Sequence, residues 1–374
     1  MYDPLFSQIV VGGLTLKNRL TMAPLYLGYA AEGGIVSDVL LEHYRLMAQS
    51  GVTLVVVENC TVDFDRGSGS KRTLRADTQD NLEGLKALAR TIQQEGALAC
   101  LQINHAGRFA KAAMPLAPSA VETFGRVPEA LDNAGIQRVV GQFAEAAKLC
   151  RSAGFDMVEL HGGTGYLLAQ FLSPRTNRRT DAYGGTLQNR QRFALEVVAA
   201  VRQAVGDFPV GYRFLADEWM PDGLQLEESR QFARSLAECG IAYISVMGGT
   251  YESFHLPHIV ARSRQAGYML DLAAAIKSQV EVPVIAAGRL ASGAVAEKAI
   301  AEGQCDLIGL ARVLWADPQW PEKVRTGREA DIVHCDPDCG DACMQMVMKE
   351  RPALCVRWPA EKMKAWKAKF QEAG

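Results

Sequence analysis

Eight short β-rich runs, each followed by a segment with helical spacing, constrain this chain more than any other feature. The β-branched run Thr53–Asn59 precedes the helical pattern Asn81–Glu95, and Ala97–Asn104 precedes Arg138–Ala153. The other runs are Arg19–Leu25, Met157–Leu160, Val210–Leu215, Tyr243–Met247, Val282–Ala287 and Leu307–Leu310. Near-continuous apolar runs suit parallel strands buried on both faces. Eight strand–helix repeats argue for an α/β protein built as a closed (β/α)8 TIM barrel over an open, doubly wound sheet. The 374 residues, 48% hydrophobic, suffice for such a core. Two segments fall outside the repeat: a Pro/Ala-rich loop over 107–132 and a cysteine-rich tail. The reading is therefore a barrel over residues 1–330 and a short extension over 331–374.

A net charge of −2 offers no electrostatic reason to expect nucleic acid or an anionic membrane. No apolar run approaches the roughly 18 residues of a membrane helix, and MYDPLFSQ lacks the basic and apolar regions of a signal peptide. A soluble, cytoplasmic protein is expected. No GxGxxG fingerprint follows a strand, so no Rossmann nucleotide domain is expected.

The stretch after the fourth run, HGGTGYLLAQFLSPRTNRR, concentrates chemistry at a strand end. It presents the imidazole of His161, the hydroxyl of Thr164 and the phenol of Tyr166, separated by turn-forming glycines. Barrel enzymes place catalysis at this end of their strands. A lone histidine is more often a satisfied core residue, but this spacing with Tyr166 favours a functional pair. Gln102 ends the third run, and Arg213 lies inside the apolar GYRFLA. A buried cation needs a partner or a ligand; a carbonyl-bearing heterocycle or an ion pair with Asp217 or Glu218 would serve. Gly288 and Arg289, with Ala311 and Arg312, end the last two runs, where barrels often hold phosphate. The alternative is two surface arginines.

LKNRLTMAP, LQINHAGR and HGGTGYLLAQFLSPRTNRRTDAYGGTLQNRQRF together resemble the Old Yellow Enzyme family of FMN-containing ene-reductases. The layout is most similar to the branch of 2,4-dienoyl-CoA reductase and trimethylamine dehydrogenase. The resemblance implies FMN at the barrel mouth, contacted by Ala23, Pro24, Asn59, Gln102 and Arg213. Its phosphate would lie on Gly288, Arg289, Ala311 and Arg312. It implies that His161 grips a substrate carbonyl, helped by Thr164 where relatives use His or Asn. Tyr166 would protonate the alkene carbon opposite the hydride. Tyr26 would stand over the flavin, and Tyr251 would be a second acid or a pocket wall. The implied activity is reduction of the activated C=C of an α,β-unsaturated carbonyl compound. The alternatives are an amine dehydrogenase or demethylase of the trimethylamine type, and a flavin subunit that only relays electrons.

Of nine cysteines, Cys335, Cys339, Cys343 and Cys355 crowd into the tail as C-x3-C-x3-C-x11-C. In a reduced compartment this density argues for a metal or cluster. The resemblance favours a [4Fe–4S] cluster, with structural zinc as the competitor; the first gap exceeds the family's by one residue. The other five cysteines read as core residues. The chain ends at Gly374 without the FAD/NAD(P)H domain of the longer relatives. Electrons are therefore expected from NAD(P)H directly or from a partner protein; the basic stretch Lys362–Lys369 would suit docking, but a solvated terminal helix is its favoured reading. A homo-oligomer is expected.

Overall fold

A computed structural model describes residues 2–335 and 337–372. Eight parallel strands close on themselves: β1 (Leu20–Met22), β2 (Leu54–Thr61), β3 (Leu98–Asn104), β4 (Met157–Gly162), β5 (Val210–Asp217), β6 (Tyr243–Gly248), β7 (Val284–Ala286) and β8 (Leu307–Leu310). Each pairs with its sequence neighbour, and β8 returns to β1 through Ile308 and Leu20. Helices α1 (Asp38–Gln49), α2 (Leu82–Gln94), α3 (Asn133–Ser152), α4 (Leu187–Val205), α5 (Leu226–Glu238), α6 (Leu270–Lys277), α7 (Gly293–Ala301) and α8 (Trp320–Arg325) form the outer layer. The expected TIM barrel is the fold of this chain.

Local chemistry explains where elements start and stop. Helix α3 begins five residues before the expected Arg138, because the Asp132 carboxylate caps it by accepting from the Gly135 N–H. Strand β1 is shorter than the expected Arg19–Leu25. After the Ala23 N–H bonds the Leu310 carbonyl, Pro24 offers no donor and the chain leaves the ladder. A turn of helix at Leu167–Leu172, not expected from the sequence, follows β4 directly.

The barrel interior is stratified. An N-terminal hairpin, Ile9–Val11 paired with Leu14–Leu16, sends Val11 and Leu16 into an apolar layer with Leu54, Val56, Met157 and Tyr243. This plug closes the end where the strands begin. Above it, two-residue periodicity brings Gln102, Glu159, Arg213 and Ser245 inward as a polar layer. Gly211 makes room there: a Cβ on it would lie 2.2 Å from the Tyr243 ring.

The C-terminal extension packs into the barrel's own core. Helices α9 (Ala342–Met348) and α10 (Ala360–Glu372) flank Ala353–Cys355, all buried. The Tyr29 hydroxyl donates to the Ala353 carbonyl at 2.7 Å, and Trp366 stacks on Tyr29 at 5.3 Å. The Trp358 indole donates to the Trp315 carbonyl at 3.1 Å. No helix among the described residues is long and apolar enough to cross a membrane.

Candidate active site

His161 stands one step above Glu159 on the inward face of β4 and is 7% exposed. Its Nδ1 accepts the Gly163 N–H at 3.2 Å. Burial, and secondarily the Arg213 charge, push its pKa down to about 3. The imidazole is therefore neutral at pH 7, and with Nδ1 an acceptor the proton sits on Nε2. This ring is a hydrogen-bond donor without a charge.

Tyr166 leaves the β4 turn edge-on to His161, with ring centroids 4.9 Å apart. The turn is anchored by Gln170, whose amide donates to the carbonyls of Gly165 and Ala106 and whose carbonyl accepts from the Arg108 N–H. Gly107 must be glycine here: its φ is +62°, and a Cβ would meet the Gln170 side chain at 2.3 Å. The Tyr166 and Tyr251 hydroxyls share a hydrogen bond of 2.8 Å. Burial first, then the neighbouring Tyr251, holds the Tyr166 pKa well above that of a free phenol. Both phenols keep their protons at neutral pH. Phe109 and Phe254 pack edge-on to Tyr251 and complete an aromatic wall. Tyr26, buried near Glu58, approaches the same phenol.

Thr164 adopts a left-handed conformation, φ +57°, and its hydroxyl donates to the Met247 sulfur at 3.5 Å. Met247 and His161 both flank the neighbouring Gly163. Gln102 donates from Nε2 to Glu159 at 2.7 Å, which leaves its carbonyl oxygen free to accept. Arg213 donates to Ser245 at 2.7 Å, and its strongest opposing charge is Glu159. The alternative partners suggested by sequence are engaged elsewhere: Asp217 accepts from the Trp219 N–H and Glu218 from Ser173 and Leu224.

At the ends of β7 and β8, Gly288 (φ +109°) and Arg289 (φ +52°) form a sharp turn covered by Tyr268 and Met269. Arg213, Arg289 and Arg312 all act on the Tyr268 phenol, opposing the rise that burial causes. Arg289 bonds the Ser263 carbonyl, and Arg312 pairs with Asp341 at 2.7 Å. Ala311 precedes a short helical turn beginning at Arg312.

These residues fit FMN. The Asn59 side-chain oxygen is buried with no partner, on the strand facing Tyr166. Arg289 and Arg312 set two guanidinium groups at the ends of β7 and β8 against one paired carboxylate, Asp341, which suits a phosphate dianion.

Arg312 also lines a second recess, walled by Cys335, Cys339, Cys343, Cys355 and Trp315. The tail cysteines thus meet in one place, beside the β8 end. No group of three or more His, Cys, Asp or Glu side chains among the described residues is arranged to hold a metal ion.

Glu159, Tyr243, Ser245, Tyr268 and Gln170 were not singled out by sequence. For Glu159 a signal existed: it is a lone carboxylate in an apolar strand run, two residues before His161.

Comparison with known proteins supplies the family. A model of the NADH:flavin oxidoreductase / NADH oxidase family matches residues 4–331. A curated NADH oxidase of Thermoanaerobacter brockii is 40% identical over 352 residues, covering 92% of this chain and 54% of that protein. The chain spans about half the length of this relative and of a similar metal reductase from Desulforamulus reducens. Among solved structures, a 2-naphthoyl-CoA reductase bound to 2-naphthoyl-CoA aligns with a TM-score of 0.92 at 29% identity, over 99% of this chain and 59% of that one. Histamine dehydrogenase from Rhizobium sp. 4-9 aligns at 0.83 and 30% identity, over 96% and 52%. The chain belongs to the NADH:flavin oxidoreductase / NADH oxidase family, whose members are flavin-dependent oxidoreductases built on an FMN-binding barrel.

Proposed function

We infer that this protein is an FMN-dependent ene-reductase acting on the C=C bond of an α,β-unsaturated carbonyl compound. The observation that carries this reading is the group of neutral His161, Tyr166 and Tyr251, with the two hydroxyls 2.8 Å apart. Bound FMN, when reduced, supplies the hydride. The His161 Nε2–H donates to the substrate carbonyl and stabilises negative charge developing on its oxygen. A neutral donor does this without being trapped by a carboxylate. Tyr166 delivers a proton to the α-carbon, and Tyr251 donates to the phenolate as it forms. Asn59, Gln102 and Arg213 hold the flavin ring, Ala23 and Pro24 border it, and Gly288, Arg289, Ala311 and Arg312 hold its phosphate. Arg312, paired with Asp341, also lines the cysteine recess, so on this reading it would serve both the phosphate and the tail. Thr164 helps the carbonyl grip only after its hydroxyl turns from Met247.

The same reading takes a [4Fe–4S] cluster on Cys335, Cys339, Cys343 and Cys355 from the family resemblance, and these four side chains share one recess. Four thiolates around a single zinc, with bonds of about 2.3 Å, stand about 3.8 Å apart, whereas a cluster spreads its ligands wider. The four cysteines that wall this recess are the side chains such a cluster would use. On this reading residues 331–374 bring a one-electron relay beside the flavin, fed by NAD(P)H or by a partner protein.

An amine dehydrogenase is the second reading. The rings of Phe109, Tyr166, Tyr251 and Phe254 and the likeness to histamine dehydrogenase favour it. One experiment separates the two. Anaerobically purified protein is examined by visible spectroscopy with iron and sulfide analysis. Its reduced flavin is then mixed with cyclohexenone or an unsaturated acyl thioester, and its oxidised flavin with trimethylamine or histamine. Reoxidation by the alkene supports the ene-reductase, and bleaching by the amine alone would replace it. Cys339→Ser should lose iron and sulfide; full iron retention would remove the cluster.

A further inference from the structure

We propose that Glu159 is a positioning residue that sets how much of the Arg213 charge reaches the reduced flavin, and so sets the flavin's reduction potential. The inference goes beyond the ene-reductase reading and rests only on FMN lying at this barrel mouth.

Glu159 is fully buried, directly beneath the position of His161 on β4. Both carboxylate oxygens are occupied. One accepts from Gln102 at 2.7 Å and the other from the Tyr243 hydroxyl at 2.9 Å. An amide N–H and a phenol O–H both donate, and with the Arg213 charge they oppose the rise in its pKa that burial causes. Below it lies the apolar plug, which gives no other countercharge. Arg213 points upward from the neighbouring strand, in register with His161, and spends one hydrogen bond on Ser245. The side chain is only partly buried.

The arrangement has two consequences. First, the Glu159 bond takes the Gln102 N–H, so Gln102 offers its carbonyl oxygen, which suits an N–H donor such as flavin N3. Second, a guanidinium facing the pyrimidine half of a flavin stabilises the reduced anion, and a carboxylate one layer below opposes that effect. Buried charges are weakly screened, so the opposition persists at physiological salt. Glu159 therefore holds the flavin more reducing than Arg213 alone would, which favours hydride donation.

The test is potentiometry of the FMN-loaded protein against reference dyes, following the flavin band. Glu159→Gln preserves shape and removes charge. The ratio of affinities for reduced over oxidised FMN should rise at least tenfold, which is a positive shift of about 30 mV for a two-electron couple. Glu159→Asp keeps the charge and should leave the ratio within threefold of the parent. A purely structural Glu159 would lower thermal stability in both variants without moving the potential in the first. Should the single variant fail to fold, Arg213→Gln/Glu159→Gln decides the matter, because it removes both buried charges together. Its ratio should exceed that of Arg213→Gln alone at least tenfold; equal ratios in those two variants would show that the Glu159 charge does not act on the flavin. A parent that takes up no FMN overturns the flavin reading as well, whereas an FMN-loaded Glu159→Gln at the parent potential overturns this proposal alone.

Discussion

Replacing Tyr166 by phenylalanine separates the proton from the rest of the site. The change removes one oxygen and leaves the ring packed edge-on to His161. Loss of a positioned general acid typically costs between about 10²- and 10⁴-fold in rate. Tyr251 has no bond to the α-carbon in this reading and contributes through one hydrogen bond to Tyr166. A bond of that kind is worth about 0.5–1.5 kcal/mol, so Tyr251→Phe should slow turnover by only about twofold to tenfold. The double variant should be no slower than Tyr166→Phe, because both act through one proton. The assay is rapid mixing of the reduced enzyme with an alkene the parent reduces, with flavin reduction by the electron donor measured separately. Reduction of the flavin should be unaffected in every variant. Two results would refute the reasoning: Tyr166→Phe reoxidising at the parent rate, or Tyr251→Phe proving the slower single variant.

Two further outcomes concern stability. His43, His105 and His161 are buried and neutral, with pKa values lowered by burial to about 3, about 4 and about 3, while burial raises Glu58 to about 8. Unfolded, the histidines take up protons below pH of about 6.5, so stability falls with pH down to their folded values, and Glu58 acts oppositely between its unfolded value and about 8. Glu159, Asp217 and Glu218, also raised by burial, oppose the histidines as Glu58 does, so the check is a variant: His43→Gln should make the urea midpoint fall less steeply between pH 6 and 5 than the parent's, and an unchanged pH dependence would contradict this. Gly211→Ala, which sets a Cβ 2.2 Å from the Tyr243 ring, should destabilise the barrel by about 1–3 kcal/mol in a urea titration, and an unchanged midpoint would show that Tyr243 moves freely.

What the sequence by itself determined was whatever depends on residues close along the chain. Apolar runs and helical spacing alternate with a period that reads out the barrel. His161, Gly165 and Tyr166 lie within six residues, so their shared strand end was legible before any fold was known. The grouping of the four tail cysteines was legible for the same reason. Tertiary structure decided the contacts between strands. Tyr251 meets Tyr166 from 85 positions away, Tyr243 reaches Glu159 from 84, and Gln102 from 57. Arg213 faces Glu159 and Ser245, not Asp217 or Glu218, because β-strand alternation turns its side chain inward across the barrel. Thr164, proposed to help grip a carbonyl, rests its hydroxyl against the Met247 sulfur from 83 positions away. Local pattern specifies which surface a residue presents; only closure of the sheet specifies which distant residue it meets there.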